Sequence, residues 1–131
     1  MIGLDSSIML RAITGDDPVQ SPLALAFLAT VSGDRPGVLN PVVLVETAWT
    51  LRARYKYPML EILDYIRKFM GTTAYHIVDR DAVSEALATS RKQSIEFADA
   101  LIGEINRLAG CTTTMTFDEG ACQATTFTQL Q

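Results

Sequence analysis

The chain has 131 residues, a length that suits one compact domain. Of these, 48% are hydrophobic, which is enough for a core and excludes an intrinsically disordered chain. Its 15 acidic residues against 11 Lys and Arg give a net charge of −4, which excludes a protein that coats DNA or anionic membrane through a basic surface. The two cysteines, Cys111 and Cys122, are too few for a disulfide framework and predict small, buried, reduced thiols.

Short strands and helices alternate along the first part of the chain. An apolar strand at 1–4 leads to a brief helix capped by Ser6 or Ser7, and Gly15 ends that helix. Further elements are predicted as a helix at 23–31, a strand at 38–39, a helix at 41–54 opened by a proline, and a helix from 58 onward.

The helix predicted at 41–54 has an apolar stripe at helical spacing. Val42, Val45, Trp49 and Ala53 recur every three or four residues, which predicts that this stripe is buried. In the helix that begins at Pro58, the stripe of Leu60, Leu63, Ile66 and Phe69 leads to the same expectation.

The remaining elements continue the alternation. They are predicted as a strand at 74–78 with His76 packed in it, helices at 80–89 and 95–109, a strand at 111–117 and a short edge strand at 127–130. This order predicts an α/β sandwich in which helices flank a mainly parallel central sheet, formed as a single domain over residues 1–131.

Acidic residues stand at positions where a parallel sheet binds ligands, outside the carboxyl ends of its strands. Asp5 follows the first strand and Asp118 follows the last main strand. Glu46 and Asp99 each lie within an apolar helical segment that offers no basic partner three or four residues away. Carboxylates gathered in one place repel one another, and Mg²⁺ or Mn²⁺ removes that penalty through oxygen ligands.

These segments resemble the four acidic motifs of PIN-domain ribonucleases. The motifs are Asp5-Ser6-Ser7, Leu44-Val45-Glu46, the segment around Asp99, and Thr116-Phe117-Asp118. The length is similar to that of single-domain VapC-type toxins of toxin–antitoxin pairs. The resemblance implies a metal-dependent endoribonuclease that is a homodimer and binds a small antitoxin protein.

The resemblance also implies roles for individual residues. Asp5, Glu46, Asp99 and Asp118 would be the catalytic residues and the ligands of Mg²⁺ or Mn²⁺, with Ser7 and Thr116 as supporting hydrogen-bonding groups. Ser7 departs from the family's frequent asparagine at that position. The other acids near these motifs, Glu96, Glu104 and Glu119, are predicted to be solvated.

Cations near the motifs are candidates for RNA contacts. They are Arg11 after the first motif and Arg52, Arg54 and Lys56 at the end of the helix that carries Glu46. Cations at a helix C-terminus also complement the helix dipole, which is an alternative reason for the last three. The apolar excess of 23–31 and 59–70 predicts a dimer interface or a groove for the antitoxin.

Two other classes of protein share parts of this sequence pattern. A non-catalytic PIN-fold module that only binds an antitoxin or another protein is the main alternative, and the presence of all four acids favours catalysis. A receiver domain would need a lysine after its last strand, and no lysine follows Lys92. The sequence has no signal-peptide pattern and no long apolar run, so a cytoplasmic location without a membrane span is expected.

Overall fold

The computed structural model describes residues 1–131 and confirms the α/β class, with six α-helices and only parallel strand pairs. The chain divides into two compact units, Met1–Val78 and Asp79–Gln131. The prediction of a single domain over 1–131 stays a prediction.

The N-terminal unit contains a three-stranded parallel sheet in the order β1-β2-β3. Its elements in chain order are β1 (Ile2–Gly3), α1 (Ser6–Thr14), α2 (Gln20–Leu28), β2 (Gly37–Leu39), α3 (Pro41–Ala53), α4 (Met59–Met70) and β3 (Tyr75–Ile77).

The register of this sheet places Ile2 opposite Gly37, and Val38 opposite both Gly3 and His76. A side chain at Gly37 would meet Leu4, because an added Cβ would lie 2.6 Å from the leucine Cδ1. Glycine therefore allows the start of β2 to pack closely against the segment that follows β1.

Local sequence signals fix the end of α1 and the start of α3. Gly15 has a left-handed φ of 62° and ends α1, and the Asn40 side chain accepts a 3.0 Å hydrogen bond from the Val43 N–H at the start of α3. The helix predicted at 23–31 is displaced, since α2 starts at Gln20 and ends at Leu28. Asp17 explains the earlier start: its Oδ1 accepts from the N–H groups of Val19 and Gln20 at 2.9 and 2.7 Å.

The predicted buried stripe of α3 is wrong. Val42 is 73% exposed and Trp49 is 61% exposed. The buried side chains of the helix are Val43, Leu44, Thr47, Ala48 and Leu51. Both sides of α3 are apolar, so periodicity alone did not determine which side packs against the rest of the unit.

Three smaller expectations about burial in this unit are also corrected. Leu60 is exposed, and the buried face of α4 is formed by Ile62, Leu63 and Ile66. Phe69, at the other end of the predicted stripe, is half-buried and contacts the ring of Tyr75. His76 lies on β3 as predicted, but alternation along the strand leaves its side chain exposed.

The C-terminal unit has two helices and a two-stranded parallel sheet. It consists of α5 (Arg80–Gln93), α6 (Phe97–Leu108), β4 (Thr114–Thr116), a 3-10 turn (Ala121–Gln123) and β5 (Phe127–Gln129). The strands therefore form two sheets in the molecule instead of the single sheet predicted, because β5 pairs with β4 from Thr114 opposite Phe127 onward.

The expectation of buried thiols is wrong, because Cys111 is exposed and Cys122 is half-buried. Both are free, as predicted. Cys111 follows Gly110, whose φ of 103° turns the chain after α6, and this position lies outside the packed elements. None of the helices has the length and apolarity that a bilayer crossing requires.

Candidate active site

Asp5 lies directly after β1 and is the residue from which α1 starts. Its backbone is extended, and its carbonyl accepts a hydrogen bond from the Ile8 N–H at 3.1 Å. Asp5 therefore occupies the capping position predicted for Ser6 or Ser7, although its carboxylate makes no capping bond. That carboxylate is exposed and accepts a 3.0 Å hydrogen bond from the Ser7 hydroxyl.

Glu46 contacts the start of α1 through Ser6, the residue that follows Asp5. The side chain of Ser6 is buried, and its hydroxyl donates to Oε1 of Glu46 on α3. The two consecutive serines thus bind two acids, Ser7 binding Asp5 and Ser6 binding Glu46. Sequence reasoning missed Ser6, since its partner lies far away along the chain; the doubled serine after Asp5 was the only available signal.

Asp99 lies in the first turn of α6 and is half-buried. The sequence interpretation placed it inside a helix that began at 95, but α6 begins at Phe97, and an acid in the first turn is favoured by the helix dipole. Burial, followed by the charges of Asp118 and Glu96, raises the pKa of Asp99 above its ordinary value. Asp99 and Asp118 are therefore close enough to repel each other.

Asp118 follows β4 in a turn that its own side chain stabilises. Its Oδ1 accepts from the Gly120 N–H at 2.8 Å, and its N–H donates to Oγ1 of Thr116 at 3.0 Å. Thr116 thus supports the backbone of Asp118 and does not contact its carboxylate. A 3.0 Å hydrogen bond from Asn106 to Thr114 joins α6 to β4 and so links the elements that carry Asp99 and Asp118.

In the N-terminal unit, Asp5 and Glu46 are therefore each bound by one of two consecutive serines, and in the C-terminal unit the charge of Asp118 acts on Asp99. No group of three or more His, Cys, Asp or Glu side chains is arranged to hold a metal ion. The four-carboxylate metal site stays a prediction.

The candidate RNA-binding cations differ in their surroundings. Arg11 donates to Asp16 at 3.0 and 3.1 Å and to Gln20 at 2.8 Å, so most of its donors are used inside the unit. Arg52, Arg54 and Lys56 are exposed at the end of α3, and Lys56 has a left-handed φ of 61°.

Glu104 corrects the expectation that the acids outside the motifs are solvated. It is buried on α6, and Arg107 donates to it at 2.8 Å. This ion pair between a buried carboxylate and an exposed arginine explains Glu104 as a structural residue. Glu96 and Glu119 are exposed, as predicted.

A groove of about 430 Å³ opens along α1 and α2, next to Asp5. Its lining is mostly apolar and consists of Ser7, Ile8, Arg11, Gln20, Leu23, Ala24 and Phe27. Ser7 lines the groove and also binds Asp5, so the groove begins beside Asp5.

Comparison with known proteins agrees with the motifs. A model of the PIN domain family matches residues 2–125. PIN domains are generally nucleases, act on nucleic acid and commonly use divalent metals. A comparison with curated proteins found no match. Because the family match spans nearly the whole chain and includes all four acids, the chain belongs to the PIN domain family.

Proposed function

We propose that this protein is an Mg²⁺- or Mn²⁺-dependent endoribonuclease of the VapC toxin type. The observation that carries the proposal is the serine pair at the start of α1, which binds two acids from different elements, Asp5 and Glu46. Hydrogen bonds that hold carboxylates in fixed positions are typical of a site that binds a cation and substrate.

The donor set fits a hard divalent cation. Asp5, Glu46, Asp99 and Asp118 offer only carboxylate oxygens, and Mg²⁺ is commonly bound by one or two carboxylates together with water and substrate phosphate. Asp5 and Glu46 in one unit, and Asp99 and Asp118 in the other, each offer two such carboxylates. A bound cation of this kind would activate water and stabilise the leaving oxygen of the phosphodiester.

The chain's own residues set the charge and orientation of the site. Ser7 and Ser6 orient Asp5 and Glu46, while burial and Asp118 raise the pKa of Asp99. A carboxylate must lose its proton before it binds a cation. Cation affinity is therefore expected to rise with pH through the titration of Asp99.

The test is cleavage of structured RNA by the purified protein with Mg²⁺, with Mn²⁺ and with EDTA. Asp5→Asn and Asp99→Asn are expected to abolish cleavage, because each removes a charged ligand. Asp81→Asn is the matched control, since Asp81 is an exposed acid in the first turn of α5. Cleavage that persists in EDTA or in Asp5→Asn would contradict the proposal and favour a non-catalytic binding module.

A homodimer and a small antitoxin partner are part of the same proposal. The groove along α1 and α2 and the exposed Leu23 and Leu25 support it, since exposed apolar grooves of this kind accept helices of partner proteins. Sedimentation of the purified chain is expected to show a dimer. A monomer at tens of micromolar would contradict the homodimer.

A further inference from the structure

The outer face of α3 carries an unusual set of side chains. We use this name for Val42, Val45, Glu46, Trp49 and Ala53, which recur every three or four residues and so share one side of the helix. Trp49 is the only tryptophan in the chain and is 61% exposed. A large aromatic side chain left in water is typical of a binding surface.

Trp49 stands beside a proposed catalytic acid. It follows Glu46 by three residues, and side chains at that spacing on a helix are neighbours, about 5–6 Å apart at Cβ. Ser6 contacts Glu46, while Val43, Leu44 and Leu51 anchor the opposite face of the helix in the core. The indole is therefore held on a rigid element next to the acid.

We propose that Trp49 is a stacking platform for an unpaired base of the RNA substrate, next to the bond that is cleaved. This inference rests on the proposed nuclease function. An indole offers a flat aromatic surface to any base, and each base stacked on an aromatic side chain contributes about 1–3 kcal/mol to binding. Bases that are unpaired in loops can reach such a surface, whereas bases inside a duplex cannot.

Stacking also resolves how an acidic chain holds RNA. With a net charge of −4, the protein has less general attraction for phosphates than a basic chain, and stacking adds affinity that does not depend on charge. Arg54 and Lys56 are exposed just beyond the end of the same face and supply a local positive charge for phosphates on one side of the stacked base.

The position of Glu46 favours RNA over a protein that covers this face. Glu46 lies in the middle of the face, between Val42 and Trp49, and its side chain is exposed. A protein surface packed over Val42 and Trp49 would remove Glu46 from water, which is costly without a paired cation. A base stacked on Trp49 alone leaves the carboxylate open.

The single tryptophan provides a direct test. Asp5→Asn protein, which is expected not to cleave, is titrated with a short single-stranded RNA and with a fully paired duplex of the same sequence. The single strand is expected to quench the fluorescence of Trp49, and the duplex is expected to do so much less. The anisotropy of labelled RNA shows when the protein is saturated with the single strand. If the fluorescence of Trp49 is not quenched at that point, the proposal is overturned.

Substitution separates stacking from folding. In the same Asp5→Asn background, Trp49→Ala is expected to weaken RNA binding roughly 5- to 100-fold, and Trp49→Phe is expected to restore most of it. Leu108→Ala, at an exposed apolar position on α6, is the control and is expected to bind normally. Equal binding by Trp49→Ala and its parent would overturn the proposal.

The failure of this inference is distinguishable from failure of the proposed function. If the parent protein cleaves RNA and Trp49→Ala has the same KM and kcat, stacking is wrong and the nuclease proposal stands. If the parent neither binds nor cleaves RNA, both are wrong. If the emission of Trp49 shifts to shorter wavelength as the protein concentration rises and does not change when RNA is added, the outer face of α3 is a protein interface and the stacking proposal is overturned.

Discussion

Asp99 shows how the surroundings of a single residue change its protonation. Its carboxylate is half-buried at the start of α6, and burial and the charges of Asp118 and Glu96 disfavour its ionised form. The helix dipole at this first turn favours the charged form, but burial and the neighbouring charges still raise the pKa of Asp99.

The first prediction is that Asp99→Asn stabilises the cation-free protein at neutral pH. The pKa of Asp99 is raised above its ordinary value of 3.8, so the folded state holds this proton more tightly and loses stability as pH rises through the raised pKa. Asparagine does not ionise, so the variant does not lose this stability as pH rises. Melting temperatures are expected to be higher for the variant at pH 7.

The pH dependence is the control for this prediction. Below 3.8 the carboxyl is protonated in both the folded and unfolded states, so the difference between Asp99→Asn and the parent should vanish. Asp81→Asn, a change at an exposed first-turn acid, should give no gain at pH 7. A variant that is less stable than the parent at pH 7 would contradict the interpretation.

Thr47 supports a second prediction at this scale. Its Oγ1 is buried on α3 without a hydrogen-bond partner, and a buried hydroxyl without a partner costs about 1–3 kcal/mol. Thr47→Val keeps the shape and removes the polar atom, so the free energy of unfolding is expected to rise by up to about 1 kcal/mol. Urea unfolding measures this free energy. Thr50→Val, at a half-exposed site on the same helix, is the control and is expected to change the free energy of unfolding little.

At the scale of elements, Asp16 connects the end of α1 to the segment after α3. Its carboxylate accepts from the Tyr55 hydroxyl at 2.5 Å, from Thr14 at 2.8 Å and from Arg11 at 3.0 Å. The Tyr55 hydrogen bond, followed by that of Thr14 and the contacts with Arg11, lowers the pKa of Asp16 to about 2. These bonds stabilise the ionised acid.

Tyr55→Phe is therefore expected to raise the pKa of Asp16 toward its ordinary value. A lowered pKa gives stability that is present above 3.8 and is lost as pH falls toward about 2, so the variant should lose stability at neutral pH and show a weaker acid dependence. NMR titration of the Asp16 carboxyl measures the shift. Tyr65→Phe, a tyrosine of α4, is the control, and an unchanged Asp16 titration in Tyr55→Phe would show that the hydroxyl is not the cause.

The connection between α5 and α6 yields a further prediction. Ser94 ends α5 with a φ of 57° and ψ of 37°, a left-handed conformation that favours glycine. Ser94→Gly is expected to raise the free energy of unfolding by about 0.5–1 kcal/mol. Ser84→Gly, the same change at an exposed position inside α5, should lower it by about 0.5 kcal/mol. Equal effects of the two changes would contradict this explanation.

Sequence patterns predicted the elements better than the side that each one buries. Gly15 ends α1 and Pro41 opens α3 through local chemistry, and both boundaries are confirmed. For α3 the spacing of Val42 and Trp49 was real, but the opposite side of the helix is equally apolar. Which side is covered depends on neighbours that are distant in sequence.

The candidate site divides in the same way. Asp5 and Asp118 follow strands, so the place where each lies was predictable from chain order. The contact of Ser6 with Glu46 was not, since it joins residues on two elements that are far apart along the chain. The raised pKa of Asp99 was also beyond sequence reasoning, because it depends on burial and on the approach of Asp118.

At the scale of the whole molecule, the size of the two units bears on how the chain folds. Domains below about 60 residues bury little surface and are marginally stable alone, and the C-terminal unit, Asp79–Gln131, falls in this range. We therefore expect one cooperative unfolding transition, in agreement with the predicted single domain. Hydrogen exchange of core amides at Leu51 and Leu101 in increasing urea should report the same free energy. Separate transitions for the two would indicate two independent domains.

The outer face of α3 also defines the shape of an inhibitor. Glu46 and Trp49 are about one helical turn apart, a spacing at which Cβ atoms lie about 5–6 Å from each other, so one small molecule could contact both the indole and the carboxylate. A flat heteroaromatic ring joined through a short rigid linker to a cationic or cation-chelating group has that form. Such a compound would cover the exposed aromatic ring and neutralise the neighbouring carboxylate at the same time.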